Sequence, residues 1–183
     1  MVDPTLKDTS NERVAWQGRL FSVVLSDVTY PDGSVHRHEE IRAPDVVRVY
    51  AVERNSVLLT SEARPGSRDR VTRVPAGRIE EGESPEEAAR RELLEETGYQ
   101  AQDIKLIRTC SPILKFRHRV HHYLATSLTR GAQSLQHGED IQVGFVPIAA
   151  ARAMVFEGSI PEDTIAMTLL LIHEANKEDS NQV

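Results

Sequence analysis

Short apolar runs rich in β-branched residues, each bounded by turn-forming residues, recur along most of the chain. Near the start, "RLFSVVLSDVTY" and "SVHRHEEI" flank "PDGS", where Pro31 suits the second turn position and Gly33 tolerates positive φ. That pattern predicts a β-hairpin. "APDV" at 43–46 reads as a joint, and "VVRVYAVER", "SVLLTSEA" and "VTRVPAG" read as further strands. Three more strands are predicted at "IKLIRTC", "VHHYLATSL" and "IQVGFVPI". Helices are predicted over 85–97, around 148–156 and from Pro161 to Ala175. Residues 1–12 and the tail "NKEDSNQV" are polar and are expected to fray. Strands interleaved with a few helices predict an α/β or α+β sandwich. Its parts are a small β unit over 1–44, a main domain over 45–175 and a disordered tail over 176–183.

Composition narrows the function classes. With 28 acidic against 22 basic residues and a net charge of -6, no global basic field attracts nucleic acid. A polyanionic substrate must then be met by local arginines or by metal. Cys110 is the one cysteine, so no internal disulfide forms, and a lone cysteine with no histidine beside it reads as a small core residue. "MVDPTLKDTSNERV" lacks the plan of a signal peptide, and "IAMTLLLI" is too short to span a bilayer. The expectation is a soluble, cytoplasmic protein without a membrane partner.

The chemistry concentrates in "GRIEEGESPEEAARRELLEETGY", residues 77–99, which holds eight glutamates. Ser84 can cap a helix, Pro85 suits its first position, Glu87 completes a capping box and Gly98 stops it. Ala89 and Leu93, four apart, can face the core. Glu92, Glu95 and Glu96 fall on one side, and their position near the C-terminus opposes the helix macrodipole. Three convergent carboxylates suit a hard cation such as Mg²⁺, which takes oxygen ligands and keeps waters for phosphates to replace. Exposed like charges cost only a few tenths of a kcal/mol per pair, so a solvated acidic face is equally open on spacing alone.

The full spacing adds more. Gly77, five residues, Glu83, seven residues, "REL", one residue, "EE", one residue and "GY" match the Nudix box, so the sequence resembles the Nudix hydrolase family. The resemblance implies an α/β/α sandwich with a mixed β-sheet. It also implies Mg²⁺- or Mn²⁺-dependent hydrolysis, with two or three ions, of a nucleoside diphosphate linked to another group. By that carry-over Glu92, Glu95 and Glu96 hold the metals, Arg91 pairs with Glu83 to fix the loop against the helix, and Gly77 and Gly98 permit the turns. "GRLF", "YPDGS", "VPAGRIEEGE" and "GSIPEDTIAMTLLL" resemble the ADP-ribose pyrophosphatase branch in particular. This implies a nucleotide-sugar substrate and a homodimer that exchanges the N-terminal β unit. It also implies a metal contact from the Ala76 carbonyl and substrate contacts from Arg64, Arg19 and Pro112.

Two stretches depart from the branch. After the box, "SPILKFRHRVHH" keeps Pro112 but carries basic residues where the branch is acidic. Lys115, Arg117, His118 and Arg119 either meet an extra phosphate or acidic sugar or form a solvated hairpin tip. His118, His121 and His122 are disfavoured as a metal site, because adjacent strand residues point to opposite faces. In "LQHGEDIQV" the position of the branch's catalytic glutamate holds His137, with Glu139 two residues on. The general base is expected to be Glu139, with His137 and Glu95 as alternatives.

Overall fold

The computed structural model describes residues 8–63, 69–111, 115–160, 166–170 and 172–173. In chain order the elements are β1 (Asp8–Gln17), β2 (Ser22–Thr29), β3 (Val35–Arg42), β4 (Val46–Glu53), β5 (Ser56–Ala63), β6 (Arg70–Arg73) and β7 (Ala76–Arg78). Then follow α1 (Pro85–Thr97), β8 (Tyr99–Cys110), β9 (Phe116–Arg117), β10 (Val120–Arg130), β11 (Ile141–Pro147) and α2 (Ile148–Phe156). They fall into two compact units, Met1–Asp45 with Cys110–Arg119, and Val46–Thr109 with Val120–Val183.

The first unit is a sheet of order β1-β2-β3-β9. The hairpin predicted around "PDGS" joins β2 to β3: Gly33 has φ 83°, and the Tyr30 amide donates to Ser34 O at 2.9 Å. Residues 8–12 do not fray but open β1, which pairs antiparallel with β2 across two register shifts. β1 is exposed on both faces from Thr9 to Gln17, so it carries none of the alternation that marks a half-buried strand. "KFR" is not a hairpin tip either, since β9 joins the edge of β3 in parallel. The basic run is held within this unit. Arg119 takes both oxygens of Asp45 at 2.7 and 2.8 Å, and Arg117 lies 3.6 Å from Glu40.

The second unit is built on a mixed sheet of order β11-β5-β4-β10-β8, with β6 beside β5 and β7 beside β4. β4 and β10 run parallel, whereas β4–β5, β5–β11, β5–β6 and β4–β7 are antiparallel. Period-two alternation sends Val47, Val49 and Ala51 of β4 to one face, where they pack with Ala88, Ala89 and Leu93 of α1. Tyr50 goes to the other face with Ile148 and Ala151 of α2 and with Leu169 and Ile172. Helices on both faces of one mixed sheet give the α/β/α sandwich. The stretch "VTRVPAG" is two strands rather than one, because Pro75 has no N–H to continue the ladder. Cys110 is half-buried at the end of β8 instead of lying in the core. Among the described residues no helix is long and apolar enough to cross a membrane.

Candidate active site

α1 starts and stops where its flanking residues dictate. Ser84 Oγ accepts from the Glu87 amide at 3.3 Å while Glu87 Oε2 accepts from the Ser84 amide at 2.8 Å, a complete capping box. Gly98 ends the helix at φ 72° with its amide on Leu94 O at 2.7 Å. A Cβ there would also meet the Gln133 backbone nitrogen at 2.9 Å. Arg91 grips Glu83 with two parallel bonds of 2.8 and 2.9 Å and reaches Arg78 O at 3.0 Å, which straps the 78–83 loop to the helix. This pairing holds the Glu83 carboxyl below its usual range.

The same guanidinium touches two of the three clustered acids: Arg91 Nη1 lies 2.7 Å from Glu92 Oε1 and 3.4 Å from Glu95 Oε2. Glu92 and Glu96 are buried and Glu95 is half-buried. Glu96 Oε2 accepts from the Ala76 amide at 3.0 Å, so helix and β7 are joined at the glutamates. Gly77 lies so close to Glu92 that a Cβ on it would run into the carboxylate. Burial pushes Glu96 up to about 8, against the pull of the Ala76 amide and Arg73 and with added repulsion from Glu92 and Glu139. Glu92 is also raised, first by burial; Arg91 opposes the rise and the charges of Glu95 and Glu139 add to it.

That electrostatic state is the test of whether a hard cation fits. The described contacts engage one oxygen of each carboxylate, and among the described residues no three acidic, His or Cys side chains already converge as a metal cluster. The set nonetheless holds oxygen donors only, half-buried or buried and mutually repelling, and a divalent cation relieves both the burial cost and the repulsion. The residues therefore fit Mg²⁺ or Mn²⁺.

Glu139 reaches this neighbourhood from the loop between β10 and β11. The loop docks on the last turn of α1: the Ser134 amide donates to Glu95 O at 3.0 Å, and Gln133 Nε2 donates to Glu96 O at 2.6 Å. Glu139 is half-buried and its Oε2 accepts from the Gln136 amide at 2.8 Å, whereas His137 is exposed. Neither Gln133 nor Arg70, which binds Asp140 beside Glu139 at 2.8 Å, stands out in the sequence. Both act through backbone or neighbouring loop atoms, a contact with no fixed spacing to read.

The remaining expected residues lie elsewhere or beyond the described part. Arg64 and Pro112 lie outside the described residues. Arg19 is exposed in the bend after β1 of the first unit. His121 Nδ1 lies 3.1 Å from Thr109 Oγ1, while His122 Nδ1 lies 3.0 Å from the Tyr50 hydroxyl and 3.3 Å from Thr168 Oγ1. Adjacent on β10, the two rings have different partners and form no metal pair.

Residues 41–164 match the family model of the NUDIX domain. The chain belongs to the NUDIX family. It is a Nudix hydrolase, an enzyme, and the capped acidic helix described above lies within the matched residues. The ADP-ribose pyrophosphatase of Bacillus subtilis (strain 168) is 29% identical over 153 residues, spanning 81% of this chain and 82% of that protein. The methanol dehydrogenase activator of Bacillus methanolicus is 28% identical over 168 residues, 88% of this chain and 91% of the other. A crystal structure of an ADP compounds hydrolase superimposes with a TM-score of 0.80, covering 96% of this chain and 95% of its own, at 24% identity. That likeness shows the fold.

Proposed function

We propose that this Nudix hydrolase is a divalent-cation-dependent pyrophosphatase that splits ADP-ribose, or a related nucleoside diphosphate sugar, into nucleoside monophosphate and sugar phosphate. The observation that carries the reading is the buried, mutually repelling pair Glu92 and Glu96 beside Glu139, an arrangement that costs stability unless a cation is bound. Glu92, Glu95, Glu96 and the Ala76 carbonyl would hold two or three Mg²⁺ or Mn²⁺ ions. When bound, such ions neutralise charge developing on the phosphoryl oxygens and lower the pKa of the attacking water.

The chain's own residues supply the rest. Arg91 holds Glu83 and the 78–83 loop in register with the helix and steadies Glu92 and Glu95. Glu139 accepts the proton of the attacking water; His137, exposed beside it, and Glu95, shared with Arg91, are the weaker choices. Arg64, Arg19 and Pro112 are assigned to the substrate by resemblance. The likeness over most of its length to an ADP-ribose pyrophosphatase supports that substrate class. We further propose a cytoplasmic homodimer that exchanges the N-terminal β unit; an exposed edge strand carrying Val14 and Trp16 supports it, and sedimentation reads it directly.

The test is phosphate release, after phosphatase coupling, from ADP-ribose, UDP-glucose, GDP-mannose, NADH, diadenosine polyphosphates and coenzyme A, with Mg²⁺ or Mn²⁺. Turnover of a nucleotide sugar that Glu96→Gln abolishes supports the proposal; turnover of a dinucleotide or coenzyme alone redirects it to another conjugate. A second reading is a sensor that binds nucleotide without turnover; one relative is named as an activator. It requires that no panel member be hydrolysed and that Glu96→Gln bind with full affinity.

A further inference from the structure

We infer that Gln133 and Arg70 pin the two ends of the loop that carries Glu139, and that both are positioning residues for the proton-accepting step. The inference rests on the reading of Glu139 as the base. Residues 131–140, between β10 and β11, contain no strand or helix, and a surface loop of this kind is mobile unless something ties it down.

This loop is tied at its start to the very turn that bears the metal-site glutamates. The last carbonyls of a helix lack intrahelical donors. Here the loop supplies them: the Gly131 amide donates to Gly98 O at 2.5 Å and the Ser134 amide to Glu95 O at 3.0 Å. Gln133 Nε2 then donates both to Glu96 O at 2.6 Å and to Ile141 O at 3.2 Å, so one side chain joins the helix end to the first residue of β11. Two carbonyl partners fix this atom as the amide nitrogen.

The far end is tied by Arg70 of β6. Its guanidinium binds Asp140 Oδ2 at 2.8 Å, Oδ1 at 3.1 Å and the Asp140 carbonyl at 3.0 Å. It also binds Ser61 Oγ at 3.1 Å and Ser61 O at 2.5 Å, which seats the pair on β5. The Ala63 amide adds a bond to Asp140 O at 3.1 Å. Between the anchors the Gln136–Glu139 turn closes on itself, with Gly138 at φ 93° and the Gln136 amide on Glu139 Oε2. Arg70 thereby does a second thing. It ties up both carboxylate oxygens of Asp140, the neighbouring acid, and so leaves the base role to Glu139.

A base misplaced by about 1 Å costs on the order of 100-fold in rate. Gln133→Leu and Arg70→Lys, each alone and each combined with Glu139→Gln, are assayed with Mg²⁺ and the panel substrate turned over fastest. The expected result is that each single change lowers kcat about 10- to 100-fold with KM within about twofold, and that neither lowers kcat further once Glu139 is gone. Amide exchange at Ser134 and Glu139 in the metal-free protein should also quicken in Gln133→Leu. Unchanged kcat in the single variants overturns the clamp, as does a loss of the same size in the Glu139→Gln background. If Glu139→Gln alone leaves kcat intact, the base reading fails and the clamp falls with it. Arg70→Lys keeps the charge and removes only the fork, so it carries the test if Gln133→Leu does not fold.

Discussion

Glu96 and His122 both lie buried in the second unit, yet burial is resolved in opposite ways at the two places. His122 is pushed down to about 4 by burial, with the charges of Arg48, Arg108 and His121 adding to the push. It stays neutral, stacks on Tyr50 at 5.8 Å and has hydroxyls of Tyr50 and Thr168 within reach of Nδ1. Glu96 is pushed up to about 8 in spite of the Ala76 amide, with Glu92 and Glu139 opposing its charge. The same desolvation acts on both. The histidine is relieved by permanent neutral partners and belongs to the architecture. The glutamate instead has one amide donor and like-charged neighbours, and under the proposed function a cation is what relieves it.

The largest effect should come from removing the charge at the acidic place. Glu96→Gln is expected to lower kcat on the order of 1000-fold, while thermal stability of the metal-free protein at neutral pH stays equal or rises because the cost of burying an ionisable carboxyl has gone. A loss of activity matched by a loss of stability would make Glu96 architectural, like His122. Next, Glu139→Gln should lower kcat about 100-fold or more with little change in KM, as steady-state kinetics would record.

The two places should then separate by pH. The folded pKa of His122 is depressed, so its contribution to stability is present above about 6.5 and is lost as pH falls through about 4, by on the order of 3 kcal/mol. The folded pKa of Glu96 is raised, so its contribution is full below about 4.5 and is lost as pH rises through about 8. Melting temperatures from pH 4 to 9 should show both limbs in metal-free protein, and Mg²⁺ should flatten only the alkaline one. Flattening of the acid limb as well would break the contrast. The smallest effect is expected at the helix start, where Ser84→Ala should cost about 1 kcal/mol in denaturant unfolding and leave kcat unchanged.

Local signals made α1 fully legible. Ser84, Pro85, Glu87 and Gly98 set bounds that the structure reproduces at Pro85–Thr97, and Ala89 and Leu93 pack on the core face as their spacing requires. The buried runs β4 and β5 were legible for the same reason, since both faces demand apolar residues. β1 was not, because an edge strand exposed on both faces has no alternation to read. β8 begins at Tyr99, five residues before "IKLIRTC", where polar "QAQD" hides the pairing. In the site, helical spacing puts the three glutamates on one face and the resemblance to the Nudix box marks Arg91, whereas Gln133, Ser134 and Arg70 engage backbone or a distant loop and leave no periodic trace. The resemblance points to Glu139 as the expected base, and the fold brings its charge near Glu92 and Glu96.

The most direct measurement is calorimetry of Mn²⁺ binding at pH 7 in two buffers of different ionisation enthalpy, with wild type and Glu96→Gln side by side. A carboxyl held near 8 is largely protonated at that pH and must shed its proton to bind a cation. The expected result is binding with release of a substantial fraction of one proton per protein molecule, and a Glu96→Gln variant that binds far more weakly and releases none. Binding of equal strength in both proteins, with no proton released by either, would contradict the assignment of the buried glutamates on α1 as the cation site.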